Sequence, residues 1–378
     1  MSDDNSQDSF TETTSQGWLS RLGGALKGIL IGLVLVPIAG WLLFWNEGRA
    51  VQTARSLTEG AGLVQTVQPD RVEPGNEGKL IHLIATPRIV TPPRDSDLGI
   101  TPPAGTLRLL RRVEMFQWRE ETESETRTKL GGGTETVTTY RYSRVWAEDR
   151  IDSSRFRQQD GHQNPQPRYP GRSFVAQGVT LGAFALAEPQ VARLEADRAL
   201  PAAGGDGDAT RYIGADATSP RIGDLRITWR VAQPEAISVI GAQAGGGFAP
   251  FATRAGDRLL MIEPGRQTAA EMFRDAQEDN ALFTWILRAA GVVVMLIGFA
   301  LLMAPLKVLA DVIPPLGALV GFGTGLVAMI LTLVLAPTII AVAWLFYRPL
   351  LAIGILAAGF AAAWGLTRLR RRPAAKAA

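Results

Sequence analysis

The sequence predicts an α+β membrane protein, with four membrane-spanning helices and a large, mainly β extramembrane domain between the first span and the second. A helix needs about 20 apolar residues to cross the roughly 30 Å core of a bilayer. The chain has four apolar stretches, Gly28–Trp45, Leu287–Leu306, Leu316–Phe346 and Leu350–Leu366, with one charged residue among them, Arg288. Between the first two, short β-branched or aromatic runs are bounded by glycine and proline, which is typical of strands.

These observations divide the chain into eight segments. In order they are residues 1–24, a disordered cytoplasmic tail; 25–45, the first transmembrane helix; 46–282, the extramembrane α+β domain; 283–306, the second helix; 307–315, a cytoplasmic loop; 316–346, the third helix; 349–367, the fourth helix; and 368–378, a basic cytoplasmic tail.

The orientation follows from the flanking charges. Arg21 and Lys27 precede the first span, and five basic residues lie in 368–378. Short flanks rich in Lys and Arg stay cytoplasmic, so both ends are predicted to be cytoplasmic and residues 46–282 to lie on the other side. A composition rich in Ala, Gly and Arg without cysteine is typical of a bacterial protein, so we expect the inner membrane of a bacterium with this domain in the periplasm; in a eukaryote the domain would lie in the lumen. The first apolar stretch lacks a cleavage site and is interpreted as a retained anchor.

The boundary between the third and fourth spans has two alternatives. A break at Pro337 would leave Arg348 inside the membrane, where the insertion scale gives a cost of about 2.5–3.5 kcal/mol. A break at Arg348 keeps the charge at an interface and puts Pro349 at a helix start, where its missing N–H is harmless. We favour the break at Arg348.

Within the extramembrane domain we predict six principal strands. They are Lys79–Ala85, Leu107–Glu120, Thr134–Trp146, Ile222–Val231, Ile237–Ala242 and Leu259–Ile262. The glycines at 131–133 are predicted to join Glu120–Thr128 and Thr134–Arg144 as a hairpin. Apolar spacing predicts a helix over Ala183–Leu200. Polar helices are expected to continue the first span through Asn46–Glu59 and to lead into the second from Thr268.

Composition and charge exclude several classes of function. The absence of cysteine excludes disulfides, thiolate nucleophiles and cysteine-ligated metals. Between Asn46 and Leu282 there are 29 Lys and Arg against 31 Asp and Glu, a balance of −2 that gives no basic surface for nucleic acid. No phosphate-binding loop, nucleophile elbow or HExxH motif occurs. We therefore expect no cofactor, no metal and no nucleic-acid partner.

Glycines at four-residue spacing are the candidates for helix packing. Small residues at this spacing let membrane helices approach closely, and they occur at Gly24, Gly28 and Gly32 in the first helix and at Gly317, Gly321 and Gly325 in the third. The contacts could lie within one chain or between chains of a homo-oligomer.

Few residues could carry chemistry. The two histidines are His82, in a predicted strand, and His162, in a Gly161–Pro165 turn that also contains Asn164. A structural role is favoured for His82, and His162 with Asn164 would be the site if the protein were an enzyme. Arg288, one turn into the second span beside Trp285, is expected to extend to the membrane interface.

Seven short motifs, in collinear order over roughly residues 42 to 350, resemble the LUMA family, also called transmembrane protein 43. They are Asn46–Ala50, Asn76–His82, Val113–Trp118, Gly161–Pro165, Gly223–Arg226, Leu287–Gly291 and Trp344–Pro349. The resemblance implies four spans with cytoplasmic ends. It also implies a protein of the endoplasmic reticulum and inner nuclear membrane in animals, which organises membrane-protein complexes with lamins and emerin. Those partners do not carry over to a bacterial member, and the family offers no catalytic residue.

The function expected from the sequence is a non-enzymatic membrane scaffold. It would self-associate and organise membrane proteins or lipid in the cell envelope, with the bilayer, its own copies and other membrane proteins as partners. Two alternatives stay open: an envelope enzyme acting on lipid or glycan, and an oligomeric pore.

Overall fold

The computed structural model describes residues 8–202 and 207–370. Within them the chain forms two compact units, one of 8–14, 56–126 and 136–275 and one of 15–55, 127–135 and 276–370. Residues 1–7 and 371–378, which belong to the two predicted tails, lie outside the described residues.

Secondary structure covers most of the described chain. The helices are α1 (Trp18–Leu63), α2 (Glu188–Val191), α3 (Ala269–Ala310), α4 (Pro314–Tyr347) and α5 (Pro349–Arg370). The strands are β1 (Asp8–Gln16), β2 (Gln65–Thr66), β3 (Leu80–Ala85), β4 (Pro87–Arg88), β5 (Arg108–Thr128), β6 (Thr134–Ala147), β7 (Arg172–Val175), β8 (Val179–Leu181), β9 (Phe184–Leu186), β10 (Arg198–Ala199), β11 (Thr210–Ile213), β12 (Leu225–Ala232), β13 (Ile237–Ala244), β14 (Gly247–Ala249), β15 (Phe251–Ala252), β16 (Arg258–Leu259) and β17 (Met261–Pro264).

Most strands belong to two sheets. The first has the order β1-β6-β5-β12-β10, with β11 also on β12 and β7 also on β5. The second has the order β2-β3-β13-β14-β9-β8-β4, with β17 also on β13. Seven consecutive residues of β13, Ile237–Gln243, are buried, so both faces of this strand are covered and its sequence lacks the alternation of a half-exposed strand.

Each sheet has its own hydrophobic cluster. Strands β3, β8, β9 and β13 supply most of one cluster, which includes Leu83, Phe184 and Val239. Strands β5 and β12 supply most of the other, which includes Val113 and Trp229. The first part of β5 alternates between buried and less buried positions, as expected for a strand with one face on a core.

An ion pair is buried at one of these inward positions of β5. The Arg111 guanidinium donates to Asp95 Oδ1 at 2.8 Å, and the exposed fractions of the two side chains are 1% and 0%. Trp229, opposite Arg111 on β12, donates its indole N–H to Asp95 Oδ2 at 3.0 Å. The Asp95 carboxylate is therefore bonded through both oxygens, which is what stabilises a charge away from water.

All six predicted strands correspond to observed strands, and the predicted hairpin is the β5–β6 connection. The predicted helix over Ala183–Leu200 is wrong. That segment contains β9, the single helical turn α2 and β10. Phe184 and Leu186 pair with β8, so sheet pairing outweighs helical spacing. Pro189 would lie in the interior of the predicted helix, where its ring and missing N–H break the backbone bonding, and it is found instead in the first turn of α2.

The N-terminal region also differs from the predicted disordered tail. Asp8–Gln16 forms β1, on the edge of the first sheet beside β6. Across this pair, the Phe10 and Tyr140 rings lie 6.2 Å apart, and the Thr11 and Thr139 hydroxyls are within hydrogen-bonding distance at 3.4 Å. Aromatic and threonine pairs of this kind stabilise antiparallel strands, which offsets the polar composition of the segment.

Three helices are long and apolar enough to cross a membrane, α1, α3 and α4. In the part of the chain that the structure describes, the apolar run of α5 is shorter, Pro349–Gly359, so the count of four spans is not confirmed. At about 1.5 Å per residue, the 46 residues of α1 and the 42 of α3 are about twice as long as a bilayer core is thick. The break between α4 and α5 lies at Arg348, the position favoured from the sequence.

One end of the helices in the second unit carries a polar contact with the tip of the β5–β6 hairpin. Arg21 of α1 donates to Asp311 Oδ2 and to the Gly132 carbonyl, both at 2.5 Å. The Gly131 N–H donates to the Val312 carbonyl at 3.1 Å. Trp18 donates to the Val308 carbonyl at 2.8 Å. The hairpin tip therefore lies at the helix end that carries the start of α1 and the α3–α4 turn.

That position disagrees with the prediction that all of residues 46–282 lie on one side of the bilayer and the start of α1 on the other. Flanking charge alone orients the spans and carries no information on parts of the segment between the first two spans. The long β5 strand separates the tip from the remainder of that segment.

The buried ion pair gives a prediction of stability. Asp95→Ala should lower the free energy of unfolding of the first unit by about 3–5 kcal/mol, because it leaves the Arg111 guanidinium uncompensated. Urea unfolding of the full chain, followed by tryptophan fluorescence, measures the effect. Asp97 bonds the same guanidinium at 3.1 Å, but 40% of its side chain is exposed, so Asp97→Ala should cost about 0–1 kcal/mol. Equal losses for the two variants would contradict the role assigned to Asp95.

The position of the hairpin tip gives a second prediction. The chain contains no cysteine, so single cysteines can be introduced at Leu130 in the tip, at Ile313 in the α3–α4 turn and at Asp279 near the opposite end of the second unit. In sealed vesicles, a membrane-impermeant maleimide should label Leu130→Cys and Ile313→Cys from the same side. If Leu130→Cys were labelled from the same side as Asp279→Cys and from the opposite side to Ile313→Cys, the result would support the sequence-based assignment of all of residues 46–282 to one side.

Candidate functional site: a buried ionic cluster between three helices

A second buried ion pair joins the helices of the second unit. Arg288 of α3 binds Glu47 of α1 through two hydrogen bonds, Nε to Oε1 at 2.6 Å and Nη2 to Oε2 at 2.9 Å. The indole N–H of Trp344, on α4, donates to Glu47 Oε2 at 2.8 Å. The exposed fraction is 0% for the Glu47 side chain and 14% for that of Arg288. One carboxylate therefore joins three helices.

Further amide and hydroxyl groups extend this cluster along α1 and α3. The Arg49 guanidinium donates to Asn280 Oδ1 at 3.0 Å and to the Thr284 hydroxyl at 2.9 Å. Asn46, fully buried, donates to the Thr284 carbonyl at 3.1 Å, and Asn280 donates to the Ala50 carbonyl at 3.0 Å. These bonds fix the two helices in one register.

Exposed aromatic residues surround the cluster. Trp41 and Trp45 stack at 5.9 Å, and Trp285 lies under the Arg288 guanidinium at 4.6 Å. All three tryptophans are exposed. Tryptophan concentrates where a membrane meets water, so the belt marks this level of the helices as an interface. The ion pair lies at the boundary of the apolar stretches, where a two-point Arg–carboxylate contact is stronger than in water.

The arrangement adds a partner to the expectation for Arg288. The side chain stacks on Trp285 at the level of the exposed tryptophans, and its charge is bound by Glu47. Three of the seven motifs meet here, those at Asn46–Ala50, Leu287–Gly291 and Trp344–Pro349. Sequence analysis singled out each motif but did not connect them. The available signal was one carboxylate just after the first apolar stretch and one arginine at the start of the second. Two consecutive spans that cross in opposite directions bring these positions to the same level.

The glycines of the first helix differ in what they contact. A Cβ added at Gly32 would lie 2.6 Å from the Gly298 carbonyl oxygen of α3, and one added at Gly28 would lie 3.6 Å from Leu301. Gly32 therefore permits a close approach of α1 and α3 within one chain. An added Cβ at Gly24 would have no neighbour within 4 Å.

The glycines of the third predicted span lie on α4. An added Cβ would clash with Asp311 at Gly317 and would lie 3.1 Å from the flexible Lys307 side chain at Gly321. At Gly325 it would meet open space. Among the described residues, none lies within 4 Å of the position that a side chain at Gly325 would take.

His82 occupies a structural position on β3. Its ring is 2% exposed, with Nε2 3.0 Å from the Gln267 carbonyl oxygen and Nδ1 3.2 Å from the Thr66 hydroxyl. Burial lowers the pKa of His82, against the smaller opposing effect of the Gln267 carbonyl. The ring is therefore held neutral between two hydrogen-bond partners.

His162 and Asn164 are both buried, but their contacts differ. The His162 ring stacks on Tyr142 at 4.0 Å and meets the edge of Trp118 at 4.7 Å, with Nε2 3.0 Å from Asp8 Oδ2. The Asn164 side chain is bonded to the backbone of Trp118 and of Ile151. It holds a turn against β5, as an asparagine in a turn commonly does.

Tyr142, beside this ring, is itself held in one protonation state. Burial, together with the hydrogen bond from its hydroxyl to Glu120 at 2.7 Å, raises the pKa of Tyr142 to about 12. Its hydroxyl also accepts a bond from the Gln158 N–H at 2.8 Å. A neutral phenol with both bonds made stabilises the fold and has no basic form available near neutral pH.

The described side chains thus form two structural arrangements around the histidines and one charged cluster between helices. Within residues 8–202 and 207–370, no group of three or more His, Asp or Glu is placed to hold a metal ion. What the Glu47 cluster does physically is to couple the positions of α1, α3 and α4.

The cluster predicts a strong energetic coupling between two residues far apart in the chain. Glu47→Leu should destabilise the second unit by about 3–5 kcal/mol, because the Arg288 charge is left without its partner. Glu47→Leu combined with Arg288→Met should be less destabilised than Glu47→Leu alone, since no charge is then buried. Thermal unfolding in lipid nanodiscs gives the comparison, and additive losses in the double variant would refute the coupling.

The comparisons with known proteins agree with the membrane architecture. The family model described as transmembrane protein 43 matches residues 115–349. The mouse transmembrane protein 43 is 35% identical over 92% of this chain and 92% of its own length. The human protein is 35% identical over 97% of this chain and 95% of its own, and the Drosophila melanogaster homolog is 31% identical over 87% and 91%.

No solved structure matches the chain. The family match covers more than half of the chain, and the relatives cover nearly all of it. The chain is an integral membrane protein that belongs to the transmembrane protein 43 family.

Proposed function

We propose that the chain is a non-enzymatic membrane scaffold that self-associates and organises membrane proteins or lipid in the cell envelope. The observation that carries this proposal is that the inner surfaces of the helices are bonded to each other, whereas an outer surface of α4 is exposed and apolar. The Glu47 cluster and the contact at Gly32 join the helices within one chain. A bundle already held together internally can use its outer surface for partners.

The outer surface of α4 is suited to such contacts. Leu319, Phe322 and Leu326 are exposed, with exposed fractions of 67%, 74% and 46%. An added Cβ at Gly325 would meet nothing within 4 Å. An apolar helix surface with an open glycine accepts either lipid chains or a second helix at short distance. We assign it to a second copy of the chain.

The proposed topology has four crossings with both chain ends on the cytoplasmic side. Support comes from α5, whose 22 residues would extend about 33 Å at about 1.5 Å each, enough for a bilayer core of roughly 30 Å. The proposed location is a bacterial inner membrane. The relatives reported above are animal proteins, so this location rests on composition alone. The hairpin tip is excluded from the proposed periplasmic part of residues 46–282.

The contacts at the histidines favour the scaffold over an envelope enzyme. Asn164 is bonded to backbone groups through both polar atoms of its side chain, and both of its amide N–H groups are used. His162 is enclosed by two aromatic rings and Asp8. Neither residue presents a free group to an open surface, which a general acid or base needs.

Oligomer mass tests the proposal. Native mass spectrometry of the protein, extracted with its own lipid in polymer-bounded nanodiscs, should give a defined oligomer. Gly325→Ile should reduce it to a monomer, because a branched side chain at the open position of α4 prevents the close approach of a second helix.

Gly354→Ile on α5 is the matched control. An added Cβ there also meets open space, but the residue lies outside the proposed surface, so the mass should be unchanged. A monomeric parent protein, or an unchanged mass in the Gly325→Ile variant, would contradict self-association on α4.

A further inference from the structure

The tip of the β5–β6 hairpin carries a large apolar side chain that is almost fully exposed. Leu130 is 86% exposed. It stands directly before Gly131 and Gly132, which reverse the chain with φ values of 89° and 79°, a conformation that glycine adopts without strain. A leucine in this position adds little to the core of its own unit, so its contact has to be sought outside the protein fold.

The tip lies at the level of a membrane interface. A Cβ added at Gly132 would clash with the Trp18 ring, so these two residues are in contact. From Trp18 to Trp41 and Trp45, which belong to the tryptophan belt, α1 rises about 35–40 Å at about 1.5 Å per residue. A bilayer is roughly 30 Å thick in its core and roughly 40–45 Å with its headgroup layers. Since the belt marks one interface, Trp18 and the tip lie at the headgroup level of the opposite leaflet.

Exposed apolar side chains of the helices lie at the same end. The Gly131 N–H donates to the Val312 carbonyl at 3.1 Å, which places Leu130 beside the α3–α4 turn. In that turn Val312 and Ile313 are 42% and 51% exposed. Leu130 therefore extends the apolar outer surface of the helices. Further exposed apolar residues near this end are Leu19, Leu309 and Leu316.

The polar groups of the tip are already bonded, as entry into a partly apolar layer requires. The Gly131 and Gly132 N–H groups donate to the carbonyls of Val312 and Lys129. The Gly132 carbonyl accepts from Arg21. The charges of Lys129 and Arg21 are both paired with carboxylates. Contact of the tip with lipid therefore leaves these backbone groups and charges with their partners.

We propose that the hairpin tip is a second membrane contact, in which the Leu130 side chain enters the headgroup layer of a lipid leaflet. A lipid surface is the expected occupant because the apolar patch is continuous with helix surfaces that face lipid, at the level where those surfaces end. Interfacial elements of this kind are buried about 5–10 Å into the boundary between headgroups and acyl chains. The contact ties a segment from between the first two spans to the leaflet at which α1 begins, and it does not depend on self-association.

Lipid-nitroxide quenching tests the proposal on the full chain in liposomes. The chain contains no cysteine, so an environment-sensitive fluorophore can be attached singly at Leu130→Cys or at three reference positions. Ile313→Cys calibrates the headgroup level, Val34→Cys, 57% exposed in the apolar part of α1, calibrates the acyl chains, and Asp279→Cys calibrates water. The Leu130→Cys probe should be quenched at least about twofold by a headgroup nitroxide, as at Ile313→Cys, and less by a nitroxide at the acyl-chain end.

Three results would overturn the proposal. Absence of quenching by either nitroxide, as at Asp279→Cys, would place the tip in water. Stronger quenching from the acyl-chain end, as at Val34→Cys, would place it in the hydrocarbon. A blue-shifted emission that no lipid nitroxide quenches would mean that protein covers Leu130. The thermal melting curve of each labelled variant checks that the fold is retained, which the exposure of Leu130 leads us to expect.

Discussion

The ion pair between Glu47 and Arg288 is the constraint on which the helical unit depends. A single charge at the edge of an apolar helix bundle is costly, and its cost is removed only when the opposite charge lies at the same height. Since Trp344 donates to the same carboxylate, one residue of α1 sets the axial position of both α3 and α4. The apolar surfaces supply attraction without direction, whereas this cluster supplies the register.

The first unit, which holds the two large sheets, follows the same rule. Arg111 and Gln117 occupy inward positions of β5 where an aliphatic residue would be expected, and both are fully bonded, Arg111 to Asp95 and Gln117 to the backbone of Ala147, Asp149 and Ile151. Polar groups bonded in this way select one arrangement of the neighbouring loops, since any other arrangement leaves a buried donor or acceptor unpaired.

Features governed by local chemistry could be predicted from the sequence, and features governed by distant pairing could not. Apolar length and Pro349 predicted the long helices and the break at Arg348, and the glycines at 131–133 predicted the β5–β6 hairpin. The apolar spacing of Ala183–Leu200 was misleading because β8 lies next to it in the fold. The partner of Arg288 is 241 positions away, and no periodicity reports a contact at that separation.

The separation of Glu47 from Arg288 in the sequence also determines when the helices can assemble during synthesis. At roughly 5–20 residues per second, a ribosome that has just completed α1 needs on the order of tens of seconds to reach the arginine. Throughout that interval the nascent chain carries a carboxylate at the membrane boundary with no counter-charge, while the β sheets have time to form. The helices can therefore assemble only after most of the chain has left the ribosome. A truncated product that stops before α3 would present an unpaired acidic residue beside an apolar helix, a clear signal for quality-control proteases.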